Sequence, residues 1–121
     1  MDDEIALGIA RQLKERTLAQ LAAVRAGQWD EAADSVQQRG VLLQRLQAID
    51  PSQLSGACRQ AIAALLEEVR TIDRDVVSTV EAALEATRAE RRILEKNDAA
   101  ARGYRRALGA EDEAGLIDEE A

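Results

Sequence analysis

Histidine and phenylalanine are absent from the 121 residues, and proline, cysteine, tryptophan and tyrosine occur once each. Without histidine, the chain lacks the commonest metal ligand and the side chain most often used as a general base near neutral pH. A single cysteine, Cys58, cannot close an intramolecular disulfide, so nothing points to an oxidising compartment. No apolar run approaches the ~20 residues that span a bilayer. The opening Met1-Asp2-Asp3-Glu4 does not resemble a signal peptide. There is no GxGxxG and no P-loop to cradle a phosphate. The cluster Glu67, Glu68, Asp73 and Asp75 lacks the Glu-x-x-His pairs of a di-metal bundle, and it reads as a solvated face. Cys58 falls near a helix start, where the dipole lowers a thiol pKa. With no histidine to act as its base, it reads as a small core residue. The expectation is a cytoplasmic protein that is not an enzyme and holds no cofactor or metal.

Acids outnumber bases 23 to 16, for a net charge of −7. Residues 109–121 hold six of those acids and no base, so the body is nearly neutral. An acidic chain without a basic domain argues against nucleic acid as the main partner and points to proteins. Alanine is abundant, with 24 residues against 14 Leu, 7 Ile and 7 Val. Alanine is the best helix former and a poor core filler. Adjacent β-branched residues such as Thr71-Ile72 and Val76-Val77 sit inside helical spacing. Together these features predict an all-α protein with a thin core.

Three punctuation marks divide the chain: Gly27, Asp50-Pro51, and Gly103 with Gly109. The first helix is expected near 3–26, its acids favoured by the dipole and its stripe Ile5, Ile9, Leu13, Thr17, Leu21 and Val24. The second is expected near 30–49, with Asp30 as cap and Trp29 stapled onto the first turn. Val36, Gly40, Leu43 and Leu46 are its expected inward stripe. Gly40 marks either a close helix approach or a tolerated defect. The third helix, near 54–97, carries the stripe Ile62, Leu65, Val69, Ile72, Val76, Thr79, Ala83, Ala86, Glu90 and Ile93. Asn97-Asp98 is a candidate break before a short fourth helix over 98–108, with Ala100, Tyr104, Ala107 and Leu108 on one face.

At ~1.5 Å per residue the third helix is roughly 65 Å long, against roughly 30 Å for the second. The expected architecture is therefore an elongated antiparallel bundle of three helices over 1–108, with a disordered acidic tail over 109–121. The second half of helix three, with Val77, Val80, Ala83, Leu84, Ile93 and Leu94, needs a cover. Candidates are the fourth segment, a second copy or another protein. The basic run Arg88, Arg91, Arg92, Lys96, Arg102, Arg105 and Arg106 is interleaved with acids and reads as a salt-laced surface or a landing strip for acids.

Three motifs carry a family likeness. One is the turn Arg25-Ala26-Gly27-Gln28-Trp29-Asp30. The next is Arg39-Gly40-Val41-Leu42-Leu43-Gln44-Arg45-Leu46, an Arg-x-x-Leu-Leu-x-x-Leu step. The third is Ile72-Asp73-Arg74-Asp75. With the late Ala101-Arg102-Gly103-Tyr104, they resemble the FliT-like flagellar proteins over roughly residues 10–108. The resemblance implies an export chaperone of the flagellar type III system that binds the filament cap protein FliD. It also implies contacts with the export ATPase machinery or the regulator FlhDC. Expected groove residues, taken where the apolar face is widest, are Leu42, Leu46, Ile72, Val76, Val80 and Leu84. They would receive a client helix. Tyr104 and Leu108 are the expected regulatory residues of a displaceable last segment. The alternative is a dimerising coiled-coil adaptor, a homodimer seamed along helix three, with no chaperone role.

Overall fold

In the computed structural model, which describes the backbone of residues 2–115 and the side chains of residues 2–109, three α-helices follow one another. They are α1 (Asp2–Arg25), α2 (Trp29–Gln47) and α3 (Gly56–Gly115), with a one-turn 3₁₀ helix at Pro51–Gln53. No strand occurs among the described residues. The chain divides into two compact units, Met1–Glu81 and Ala82–Ala121.

The first unit is a three-helix bundle. Gly27 ends α1 at φ +71°, a conformation that costs a residue with a Cβ. Gln28 N–H donates to the Ala23 carbonyl (2.8 Å) and Gly27 N–H to the Val24 carbonyl (3.2 Å), closing the orphan carbonyls of the last turn. At the second corner Asp50, held extended before Pro51, accepts from Ser52 N–H at 3.0 Å. Ser55 then caps α3 by accepting from Cys58 N–H (3.1 Å), and its own N–H donates to Asp3 Oδ1 (3.0 Å). This last bond ties the start of α3 to the start of α1, so the two run in the same direction and α2 runs against both.

The core draws on all three helices. Ala6 and Ala10 pack with Cys58 and Ile62; Ile9 and Leu13 with Leu42 and Val69; Leu21, Ala23 and Val24 with Ala32 and Val76. The α1 stripe matches the spacing expected, except that Ile5 is exposed. Thr17 is fully buried and donates its hydroxyl to the Leu13 carbonyl (2.7 Å), which removes the cost of burying it.

Helix α2 departs from expectation in phase. Its inward residues are Ala32, Ser35, Arg39, Leu42 and Leu46, whereas Val36 and Leu43 are exposed. Leu46 is inward as expected, but Ser35, Arg39 and Leu42 stand one residue, about 100°, from the expected Val36, Gly40 and Leu43. Its N-cap is Gln28 with no side-chain bond, so Asp30 does not cap. Trp29 opens the helix with 49% of its surface in solvent, and is no core staple. Nothing approaches Gly40 within 4 Å, so it is a tolerated defect.

The second unit contains the later part of α3. Helix α3 continues through Asn97 and Asp98, and no separate fourth helix forms over 98–108. One Asn-Asp step is a weak breaker, and Ala99, Ala100 and Ala101 follow it at once. No described side chain of this unit is buried; Leu84, Ile93, Leu94, Tyr104 and Leu108 are all exposed. The last six residues of the acidic tail, 116–121, lie outside the described residues.

Candidate partner-binding site

The centre of the first unit holds a polar contact that joins its three helices. Arg39 grips Asp73 with two parallel bonds, Nη1 to Oδ1 at 2.8 Å and Nη2 to Oδ2 at 2.9 Å. Nη1 also donates to Gln20 Oε1 at 2.7 Å. The residues come from α2, α3 and α1 in turn. Such a charge-assisted fork is about twice as strong as a neutral bond and fixes orientation. The Arg39 side chain is 16% exposed and Asp73 37%, so water still weakens the pair. Arg39 Nε is buried without a partner. Asp73 is therefore not part of a solvated acidic face. The spacing of acids along one helix carries no sign of a partner 34 residues away.

The pair sits on the face shared by α2 and α3. Gln38, one residue before Arg39, turns toward α1, accepting from Arg16 at 3.1 Å. On the opposite side of the inward line, at helical spacing, stand Val36 and Leu43. On α3, Val77 lies one turn beyond Asp73, and it is 54% exposed. A hollow of about 490 Å³ beside Asp73 is lined by Arg70, Asp73, Arg74, Val77 and Ser78. A second, of about 280 Å³, is lined chiefly by Leu46, Ile49, Pro51, Leu54, Ile62 and Leu66. This face offers apolar contact area with cations at its rim. Arg70 is partly engaged by Glu67 at 3.4 Å.

The six expected groove residues divide by burial. Leu42 and Val76 are core, and a closed bundle does not offer them to a partner. Leu46, Ile72 and Val80 are half-buried against core clusters. Leu84, in the second unit, is exposed. Val36 and Leu43 are exposed on α2, one residue out of phase with its inward line, and Val77 is exposed on α3. Tyr104 and Leu108 are exposed on α3. Cys58 is buried, and its thiol is pushed above its ordinary pKa, first by that burial and then by the Asp3 carboxylate. A helix dipole that lowered it would act in the opposite direction. Among the described residues no three His, Cys, Asp or Glu side chains converge to hold a metal. No helix among them is long and apolar enough to cross a membrane.

The first unit is a helical bundle whose α2–α3 face presents apolar side chains around an interhelical ion pair. Within that class, the chain matches the family described as Flagellar protein FliT over residues 7–106, and it belongs to that family. This is a family of flagellar export chaperones, not of enzymes. No curated protein and no solved structure matches the chain. Arg39 and Asp73 both fall inside motifs on which the family likeness rests. In this bundle those two motifs meet as an interhelical ion pair.

Proposed function

We propose that the chain is a cytoplasmic chaperone of flagellar type III export that holds an apolar helix of its client along the α2–α3 face of the first unit. The client implied by the family is the filament cap protein FliD. The export ATPase machinery and FlhDC are further partners implied in the same way. The observation that carries the reading is the exposure of Val36 and Val77 beside the Arg39–Asp73 pair, 50% and 54% of each in solvent. Valine and leucine held in water on two adjoining helices gain by covering one another with a partner's apolar stripe. Leu46 and Leu66 extend the same face toward the second corner. Of the groove residues expected from spacing, Leu46 belongs to this surface and Leu42 and Val76 lie in the core; Ile72 and Val80 pack against the cluster of Leu21, Ala23, Val24, Ala32 and Val76, and Leu84 belongs to the second unit.

The test is a pair of charged variants measured by calorimetry against the FliD partner. Val36→Asp with Val77→Asp should weaken binding at least tenfold, about 1.4 kcal/mol, with helix content unchanged because both side chains are exposed. Val41→Asp is the control: it is as exposed, but it lines the α1 side with Arg16 and Gln38. Equal loss in both variants, or no loss in the double variant, defeats the reading. The adaptor alternative predicts instead a dimer at low micromolar concentration that sedimentation detects. Tyr104 and Leu108 are the proposed regulatory residues. Truncation after Lys96 should tighten client binding by up to about tenfold, and an equal or weaker affinity ends that role.

A further inference from the structure

Helix α2 carries a second stripe that the bundle does not use. Trp29, Ala33, Val36, Gly40, Leu43 and Gln47 follow one another at alternating spacings of four and three, and all six are exposed. This spacing keeps them on one side of the helix, beside the inward line of Ala32, Ser35, Arg39, Leu42 and Leu46. Large and small residues alternate along it: Trp29, Val36 and Leu43 recur every seven residues, and Ala33 and Gly40 fall between them. Nothing stands within 4 Å of a Cβ placed on Gly40, so a gap lies open between Val36 and Leu43. The stripe holds no charge. Of the charged residues of α2, Arg39 is turned inward to Asp73. Asp30, Glu31, Asp34 and Arg45 stand about 100° or more from the midline of the stripe.

The charges of this face come from α3. Arg59 lines one hollow with Leu46, Gln47 and Leu66, and Arg70 and Arg74 line the other with Val77. Arg70 is engaged by Glu67, and both oxygens of Asp73 are taken by Arg39. Glu68 turns to Lys14 of α1 at 2.9 Å, and Asp75 falls on the far side of α3. Arg59 and Arg74 are exposed and form no ion pair among the described residues. Glu81, one turn past Val77, puts an acid at the end of the face near Trp29. From Arg59 to Val77, two uncompensated positive charges therefore border an uncharged stripe. They do so in a unit that is net negative, with nine bases and thirteen acids over residues 1–81. We propose that the client helix lies along this α2 stripe, sets large apolar side chains over Ala33 and Gly40, and carries carboxylates on the edge that meets Arg59 and Arg74. This recognition rests on the client's seat along the α2–α3 face and names the helix that seat selects. Arg59 and Arg74 are 15 residues apart, so the acids they meet are spaced about four turns, or about 22 Å, along the client. Glu81 repels an acid at the Trp29 end, which fixes the direction of the charge pattern.

The test titrates the FliD partner into the full chain by calorimetry at about 50 and about 500 mM salt. Arg59→Glu with Arg74→Glu should weaken binding about tenfold at the lower salt, and the loss should shrink at the higher salt as repulsion is screened. Arg59→Lys with Arg74→Lys keeps both charges and should stay within about threefold of the parent. Gly40→Leu fills the gap and should weaken binding about tenfold at both salts. It costs the fold nothing, because leucine is the better helix former and the space is open. Circular dichroism and urea unfolding check that each variant folds. An unchanged affinity in the glutamate variant, a loss that salt does not touch, or an unchanged affinity in Gly40→Leu overturns the proposal. If V36D/V77D loses binding while these variants do not, the client sits on this face without the acidic edge or the crossing at Gly40. If V36D/V77D also binds like the parent, the client sits elsewhere and the seat itself fails. A dimer that Gly40→Leu dissolves makes a second copy the occupant, and the proposal falls in that case too.

Discussion

In the first unit Leu13 and Thr17 are shielded almost completely, whereas in the second Leu94 and Tyr104 keep 63% and 68% of their surface in water. Both units are α-helical and alanine-rich, so propensity does not separate them. The difference lies in what each helix touches. In the first unit every helix buries a stripe against two others, and burial of apolar area supplies the stability. In the second, no described side chain is buried, and the helix rests on alanine propensity and its own backbone bonds. A stripe of similar spacing therefore means core in one place and vacant surface in the other.

The sharpest way to break that contrast is one truncation in each unit. Leu13→Ala removes a side chain at 1% exposure and should cost about 3–4 kcal/mol in urea unfolding. Leu94→Ala should stay within about 0.5 kcal/mol. A Leu94 loss above about 1 kcal/mol would show that the second unit's stripe is covered in solution.

A smaller effect is expected where the first unit is held by charge. Asp73→Ala leaves the Arg39 guanidinium half-buried without its fork and should cost about 1–2 kcal/mol, discounted because Asp73 is itself part-exposed. The double variant with Arg39→Ala should cost less than the sum of the singles, since the two act as one unit. Additive losses would reduce the contact to two unrelated surface groups.

These sites also mark where the sequence was legible. The stripes of α1 and early α3 read directly, because Ile9, Leu13, Leu21, Ile62, Val69 and Val76 are large, branched and regularly spaced. Helix α2 misled because Val36, Val41, Leu42, Leu43 and Leu46 nearly encircle it, while its inward line is filled by Ala32, Ser35 and Arg39. A rule that seeks the apolar side cannot choose an arginine as the inward residue. Pairing with Asp73 is what makes that choice favourable, and it depends on tertiary structure. The continuity of α3 past Asn97 was open in the residues because no proline stands there to forbid it. Arg39 and Asp73 both lie within the family motifs, but the motifs alone do not show that the two pair across helices.

Glycine gives a smaller and opposed pair of effects. Gly40→Ala should raise stability by about 1 kcal/mol, since it sits mid-helix with open space around it. Gly27→Ala should lower stability by about 1 kcal/mol, because φ +71° is strained for any L side chain. If Gly40→Ala gave no gain, the position would serve something other than helix stability, such as a close contact with a client on the α2–α3 face.

The smallest effect is confined to the end of the first unit where α1 meets α3. Ser55, through its hydroxyl and its N–H, holds the Asp3 carboxyl below its ordinary value of 3.8. A carboxyl with a lowered folded pKa contributes stability above the unfolded value, and loses it as pH falls through the folded one. Cys58, beside it, has the reverse sense: its thiol is raised above 9.0 by burial first and by Asp3 second. Its contribution is complete below pH 9.0 and fades as pH rises through the higher folded value. Asp3→Asn should therefore be less stable than the parent near neutrality. The gap should close below pH 3.8, because protonation then removes the same carboxylate from the parent. Cys58→Ala should differ from the parent by a constant amount up to pH 9.0, and its alkaline loss should be shallower above it. Urea midpoints from acid to alkaline pH read both. An Asp3→Asn gap that persists in strong acid would mean that the bond to Ser55 holds the corner by shape and owes nothing to charge.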